Sequence, residues 1–287
     1  MAALKEIKAR IASVNNTLKI TSAMKMVASA KLHRVQSAAA ALAEYDKRLR
    51  GIAAALGGAA AKKVSSPWLV PHEKRDHAVV IVFSSDGSLC GGFNNNVIRA
   101  LQHGVEELLR DGYAAVTVYP IGEKVAQATV KAGFQVCDDF RTLASEAQYG
   151  RCAELADRMM AEYREGKVDS VMLLYNHFFS MGRQAPEQSR FLPMELPQAA
   201  AAEAAPDFIY EPGAAELMTQ LLPYTLRTRL YEVLLDSSVA EHAARMIAMQ
   251  TATDNATELL DELRLTYNKR RQQAITDELA DITQAAE

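Results

Sequence analysis

Near the start of the chain the apolar positions fall at Ile7, Ile11, Val14 and Leu18, stepping by four, three and four. A mean spacing of about 3.5 residues is the seam of a left-handed coiled coil. A second apolar stripe follows at Ile20, Met24 and Val27. At about 100° per residue it lies roughly 140° around the helix from the first. Two things would explain a second stripe. Either a partner helix lies on one side and something else encloses the other, or the helix changes neighbours along its length. The far end of the chain carries the same rhythm. Ala256, Leu260, Leu263 and Tyr267 step by four, three and four, and Ile275, Leu279 and Ile282 repeat it.

The chain breakers frame these ends. Every glycine and proline lies between Gly51 and Pro223. Glycine and proline are the strongest local punctuation a sequence has, so the pattern predicts two long helices flanking an inserted domain. At about 1.5 Å per residue each would be roughly 75 to 95 Å long. Domain termini tend to lie close together, which would set the helices antiparallel. Between them strands alternate with helices. The apolar runs at 77–85, 115–122, 134–140 and 169–179 predict strands, with a shorter one at 189–194. Helices are predicted at 94–110, 123–132 and 145–164, the last with Leu155, Met159, Met160 and Tyr163 on its apolar side. Such alternation means a mostly parallel α/β sheet with helices on its faces. The run PQAAAAEAAPD at 197–207 predicts a low-complexity linker. The domain organisation is therefore an N-terminal coiled-coil helix (1–60), an α/β domain (75–196) and a C-terminal coiled-coil helix (208–287). The first and last form one discontinuous domain.

Charge changes this picture only locally. The 287 residues carry 32 basic and 35 acidic side chains, a net charge of −3. Yet from Ile7 to Leu42 there are Lys8, Arg10, Lys19, Lys25, Lys31 and Arg34 and no acid. Nucleic acid would call for a one-sided basic stripe with stacking aromatics, which is absent. Anionic lipid would call for large apolar residues opposite the charge, where alanine dominates. An acidic protein surface around the helix fits best. The segment MIAMQTAT at 246–253 has no charge at all and suits close approach of two helices or a smooth surface inside a partner. Asp254, Glu258, Asp261 and Glu262 are expected to pair with bases of the first helix. No apolar run is long enough to span a bilayer, and the opening MAALKEIKARI lacks the pattern of a secretion signal.

Candidate chemistry is sparse. The stretch SSDGSLCGGFNNN, beginning at Ser84 and ending at Asn96, joins a strand to a helix where a phosphate loop would sit. It has neither GxxxxGK[ST] nor GxGxxG spacing, so a tight turn is the plainer reading and a nucleotide site the alternative. The six histidines are scattered, and no metal or catalytic constellation is expected. Cys90, Cys137 and Cys152 show no CxxC spacing and read as reduced, buried packing residues.

Certain blocks resemble a known family. IKARIASVNNTLKITSAMKMVASAKL at 7–32, LCGGFN at 89–94, YEP at 210–212 and AEHAARMIAMQTATDNATELLDELRLTYNKRRQQAITDEL at 240–279 resemble the gamma subunit of F-type ATP synthase, the central rotor stalk. The resemblance covers essentially the whole chain, in order. It implies an antiparallel coiled coil with an inserted Rossmann-like α/β domain, and no chemistry, cofactor or metal of its own. The coil would stand inside a hexamer of alpha and beta subunits, coupling proton flow through the membrane ring to ATP synthesis or hydrolysis. The α/β domain would sit against the epsilon subunit and the ring of c subunits. The chain would be peripheral on the cytoplasmic face of a bacterial inner membrane. Met24 and Lys25 in AMKMV resemble the family's rotor surface beside an acidic loop of beta. Arg245, Gln272 and Thr276 resemble the part held by the hexamer, and Tyr210 and Glu211 the part facing the c ring and epsilon. Two departures stand out. Gly87-Ser88 replaces the family's usual Arg-Gly, removing any charge contact made there. Asn15-Asn16 replaces a more usual polar or basic residue before asparagine. The paired cysteines of chloroplast members are absent, so thiol regulation of that type is not expected.

Overall fold

The computed structural model describes residues 2–60, 66–195, 211 and 213–285. The linker expected at 197–207 lies outside them. Two units are compact in themselves: residues 1–30 with 245–287, and residues 31–244. Helices α1 (Ala2–Ala60) and α6 (Ala214–Ala285) each contribute to both. They run beyond the breakers that delimit the breaker-free ends. α1 passes through Gly51, and α6 contains Pro223.

Residues 31–244 contain a five-stranded sheet. Its strands are β1 (His77–Phe83), β2 (Ala115–Ile121), β3 (Gln135–Val136), β4 (Ser170–Ser180) and β5 (Arg183–Leu192), in the order β3-β2-β1-β4-β5. The first four are parallel and β5 is antiparallel to β4. Helices α2 (Phe93–Arg110), α3 (Glu123–Ala132), α4 (Leu143–Glu146) and α5 (Tyr149–Arg164) complete this unit. In β1 alternate side chains serve opposite faces, the period-two rule of a strand. Val79, Ile81 and Phe83 join a core with Leu155, Met159 and Tyr163 of α5 and Leu226, Leu230 and Val233 of α6. Ala78, Val80 and Val82 join a second core with Val97, Leu101 and Val105 of α2 and Val125 of α3. α5 and this part of α6 thus cover one face, and α2 and α3 the other.

Three expectations shift. β3 is two residues instead of 134–140, because Asp138 and Asp139 leave the sheet to pair with Arg141 and Arg158. The helix expected at 145–164 is split in two by Ala147, held at a positive φ of 45°. The fifth strand starts earlier, at Arg183, and takes in Pro186. An edge strand tolerates a proline, which has no N–H to donate. Cys90 and Cys152 are buried as expected, while Cys137 is half-buried. Burial pushes the Cys152 thiol up to about 12.

At the other end of the strands Asp169 acts as a clasp. Its carboxylate accepts the backbone N–H groups of Asp76 at 2.8 Å and His77 at 3.0 Å, and meets His72 Nδ1 at 3.0 Å. Burial alone would raise its pKa, but the His77, His72 and Asp76 hydrogen bonds outweigh it and hold the carboxyl below its ordinary value.

In the unit formed by residues 1–30 and 245–287, α1 and α6 pair. The Thr21 and Thr253 hydroxyls lie 2.9 Å apart and Lys25 reaches Gln250 at 2.9 Å, so a step up α1 is a step down α6: the pair is antiparallel. Ile7, Ile11, Val14, Leu18, Thr21, Lys25 and Ala28 form the inward row of α1, all half-buried or buried. Met249, Thr253, Ala256, Leu260, Leu263 and Tyr267 form the inward row of α6. With Thr21 opposite Thr253, the spacing sets Leu18 opposite Ala256, Val14 opposite Leu260 and Ile11 opposite Leu263. The row continues through half-buried Ala274. Ile275 and Leu279, read above as its continuation, are 51% and 58% exposed. Eight residues separate Tyr267 from Ile275, one more than a heptad, and that extra residue turns Ile275 off the seam.

Two outcomes are expected from this architecture. Leu260→Ala should destabilise the helical pair by about 2–4 kcal/mol, whereas Ile275→Ala should stay within about 0.5 kcal/mol of wild type. Denaturant melts followed by circular dichroism compare them, and equal losses would place the seam elsewhere. Asp169→Asn should cost roughly 1–3 kcal/mol. Because the folded pKa of Asp169 is depressed, its contribution is full above the unfolded carboxylate pKa. It is lost as pH falls through the lower folded value. The gap between wild type and Asp169→Asn should therefore narrow on acidification, as stability curves at several pH values would register.

Candidate functional site

Open α/β sheets bind ligands beyond the carboxyl ends of their strands, where the strand order reverses. Here that place lies between β1 and β4, at the 84–96 turn. It is occupied by the protein itself. Asn176 Nδ2 donates to the Phe93 carbonyl at 3.1 Å. Cys90, Phe93 and Phe178 pack there on Ala240 of α6. Within the turn, Ser85 Oγ donates to the Gly87 carbonyl at 2.7 Å and Asn94 Nδ2 reaches Ser85 Oγ at 2.8 Å.

A helix N-terminus is a ready anion site because its first N–H groups lack partners. At α3 those groups are already taken. Glu123 N–H donates to Asp86 Oδ1 at 3.0 Å, Lys124 N–H to the Ser85 carbonyl at 3.2 Å, and Val125 N–H to Ser84 Oγ at 3.0 Å. The chain comes this close because residue 122 is glycine. Its φ is +100°, and a Cβ there would collide with the Ser84 carbonyl oxygen. Asp86 adds a negative charge where a phosphate would need positive potential. The 84–96 turn is a packed strand-to-helix junction, and this geometry argues against the nucleotide alternative.

The other candidates fall on the paired helices. Met24, Lys25, Arg245, Gln272 and Thr276 all belong to the unit of residues 1–30 and 245–287. Met24 and Arg245 are half-buried. Gln272 and Thr276 are exposed and stand one turn apart, the Thr276 hydroxyl donating to the Gln272 carbonyl at 3.0 Å. Lys25 sits on the inward row, so it is no freely displayed cation. Of the second stripe, Ile20 is 60% and Val27 57% exposed, while Met24 is half-buried. Glu211 is exposed, and Tyr210 lies outside the described residues.

The acidic residues of α6 behave differently from expectation. Asp254 accepts from Gln250 Nε2 at 2.7 Å and Asp261 meets Arg264 at 3.5 Å, both along α6 itself. All four carboxylates lie off the seam and are exposed, so they do not face α1. The bridging residues Gln250, Thr21 and Thr253 were not singled out from sequence. The sequence signal is confined to Lys25, a lysine in phase with Leu18; the uncharged run MIAMQTAT does not say which of Gln250, Thr251 and Thr253 faces it. Among the described residues no group of His, Cys, Asp and Glu could hold a metal ion. No described helix is long and apolar enough to cross a membrane.

Among the described residues the paired helices turn apolar and basic positions outward. A family model described as ATP synthase matches residues 3–287. The ATP synthase gamma chain of Phocaeicola vulgatus is 48% identical over 285 residues, covering 98% of each chain. That of Flavobacterium johnsoniae is 37% identical over 289 residues, covering 100% of this chain and 99% of the other. Among solved structures, the fold resembles a chain of the rotor of Euglena gracilis mitochondrial ATP synthase. The TM-score is 0.61 at 18% identity, covering 96% of this chain and 99% of that one. With matches of this extent along nearly its whole length, the chain belongs to the ATP synthase gamma chain family.

Proposed function

We propose that this chain is the central rotor stalk of an F-type proton-translocating ATP synthase, coupling proton flow to rotational catalysis in the alpha-beta hexamer. The observation that carries this reading is the end-to-end similarity to ATP synthase gamma chains. The site geometry supports it. A rotor needs a stiff body, and two long helices paired along a shared seam suit that need. The outward stripe of Ile20 and Val27 and the acid-free run from Ile7 to Leu42 give an acidic partner nothing to repel. The chain itself is non-catalytic in this reading, since its own residues fill the sheet's ligand position.

The alpha and beta subunits are the partners of the paired helices, with Met24, Lys25, Arg245, Gln272 and Thr276 at that contact. The epsilon subunit and the ring of c subunits are the partners of the α/β body, through Tyr210 and Glu211. The domain reading follows the same division of labour: 1–60 and 208–287 as one coiled-coil domain and 75–196 as the α/β domain. The chain works as a peripheral protein on the cytoplasmic face of a bacterial inner membrane, inserting nothing into the bilayer.

Two measurements test the proposal. The purified chain should hydrolyse no ATP, and adding it to alpha and beta subunits should raise their hydrolysis several-fold. Turnover or saturable micromolar ATP binding by the lone chain would favour the nucleotide-site alternative instead. Separately, cysteines placed at Gln272 or Thr276 should cross-link to beta subunits in assembled enzyme. Labelling confined to solvent reagents would remove those residues from the contact.

A further inference from the structure

Lys25 stands where the spacing calls for an apolar side chain. Continuing the row of Ile7, Ile11, Val14 and Leu18 gives Thr21, Lys25 and Ala28. A lysine at such a position normally snorkels, laying its methylenes along the apolar surface and sending the ammonium to water. Here the ammonium turns across the pair instead. It donates to Gln250 Oε1 at 2.9 Å, while Gln250 Nε2 donates to Asp254 Oδ1 at 2.7 Å. A side-chain amide can accept at one atom and donate at the other, so Gln250 links a cation to an anion that lies off the seam. Each of the two bonds involves an ionised group, the stronger class of hydrogen bond. The Thr21 and Thr253 hydroxyls, 2.9 Å apart one turn away, make the layer continuous.

We propose that Gln250 is a positioning residue for Lys25: it draws the ammonium in against α6 and withholds it from whatever passes along the outer side of α1. Ile20, Met26 and Val27 are 60%, 65% and 57% exposed and lie in the half of α1 turned away from the seam. The consequence for function rests on the rotor reading above. A free lysine reaches out and forms a direct ion pair with a passing carboxylate, which must break for motion to continue. A lysine held back by Gln250 still contributes positive field, since Coulomb attraction falls only as the inverse of distance, but it forms no bond to be broken. The Lys25 ammonium is then set behind the apolar Ile20, Met26 and Val27, while Lys19 beside Ile20 stays exposed.

The test uses the full chain and an amine-acylating reagent, with modification of each lysine read by mass spectrometry. In wild type Lys25 should react more slowly than exposed Lys19. Gln250→Met keeps the length and helix preference of the side chain but loses the acceptor. It should raise the Lys25 rate roughly tenfold. Gln250→Glu restores an acceptor and should bring the rate back to the wild-type level or below. Circular dichroism melts of both variants check that the pair remains folded. Should Gln250→Met lose the pair, the comparison of Gln250→Glu with wild type decides, a faster Lys25 in the glutamate variant refuting the idea. Lys25 already as reactive as Lys19 in wild type, or unchanged by Gln250→Met, overturns it. A second arm separates this from the rotor reading. In enzyme assembled with alpha and beta subunits, Gln250→Met should slow hydrolysis more at low salt than at high salt, because a freed lysine grips. If the acylation result holds while salt dependence is unchanged, Gln250 positions Lys25 but the rotor reading of this surface is wrong.

Discussion

The helical pair depends on one constraint: two helices running in opposite directions share a seam spaced about 3.5 residues on each. That spacing decides which side chains are withdrawn and which are displayed. The spacing sets Leu18 opposite Ala256 and Val14 opposite Leu260, large against small and branched against branched. It also admits a polar layer at Thr21, Lys25, Gln250 and Thr253. Polar groups in such a seam are tolerated when each finds a partner, at some expense in stability compared with an apolar layer. Among the charged and polar residues left on the outside, Ile20, Met26, Val27, Ile275 and Leu279 are apolar although exposed.

The α/β body illustrates how a fold can keep its form without its commonest use. Its strand order places a ligand crevice between β1 and β4, yet Phe93, Cys90, Phe178 and Ala240 pack there. The α3 N-terminus, an anion site in other folds of this class, is capped by Asp86, Ser85 and Ser84. The middle of α6 covers the sheet through Leu226, Leu230 and Val233, and Asp236 accepts the Phe178 N–H at 3.1 Å. The sheet is thereby a mount for a helix, which is consistent with a mechanical role in the proposed rotor.

Much of this was legible in the sequence. The strand and helix order followed from β-branched runs and glycine stops, and the inward rows from the spacing of Ile7 to Leu18 and Ala256 to Tyr267. Departures arose where tertiary contacts overrode local pattern. Asp138 and Asp139 found arginines and cut β3 short, and a left-handed Ala147 divided one helix into two. Ile275 read as seam because its neighbours repeat the right spacing among themselves, and only the count back to Tyr267 shows the shift of phase. The candidate surface was legible through resemblance more than through chemistry. Gln250 escaped notice because nothing in an uncharged run says which residue faces a lysine more than two hundred positions away.

The central claim is that this chain turns within a ring of other subunits, and rotation is the quantity that tests it most directly. Alpha-beta hexamers fixed to a surface and assembled with this chain, a bead attached through its α/β body, can be watched under the microscope as ATP is supplied. The bead should turn in one direction and halt when ATP is withdrawn. Hydrolysis at full rate beneath a bead that only fluctuates about a fixed angle would contradict it.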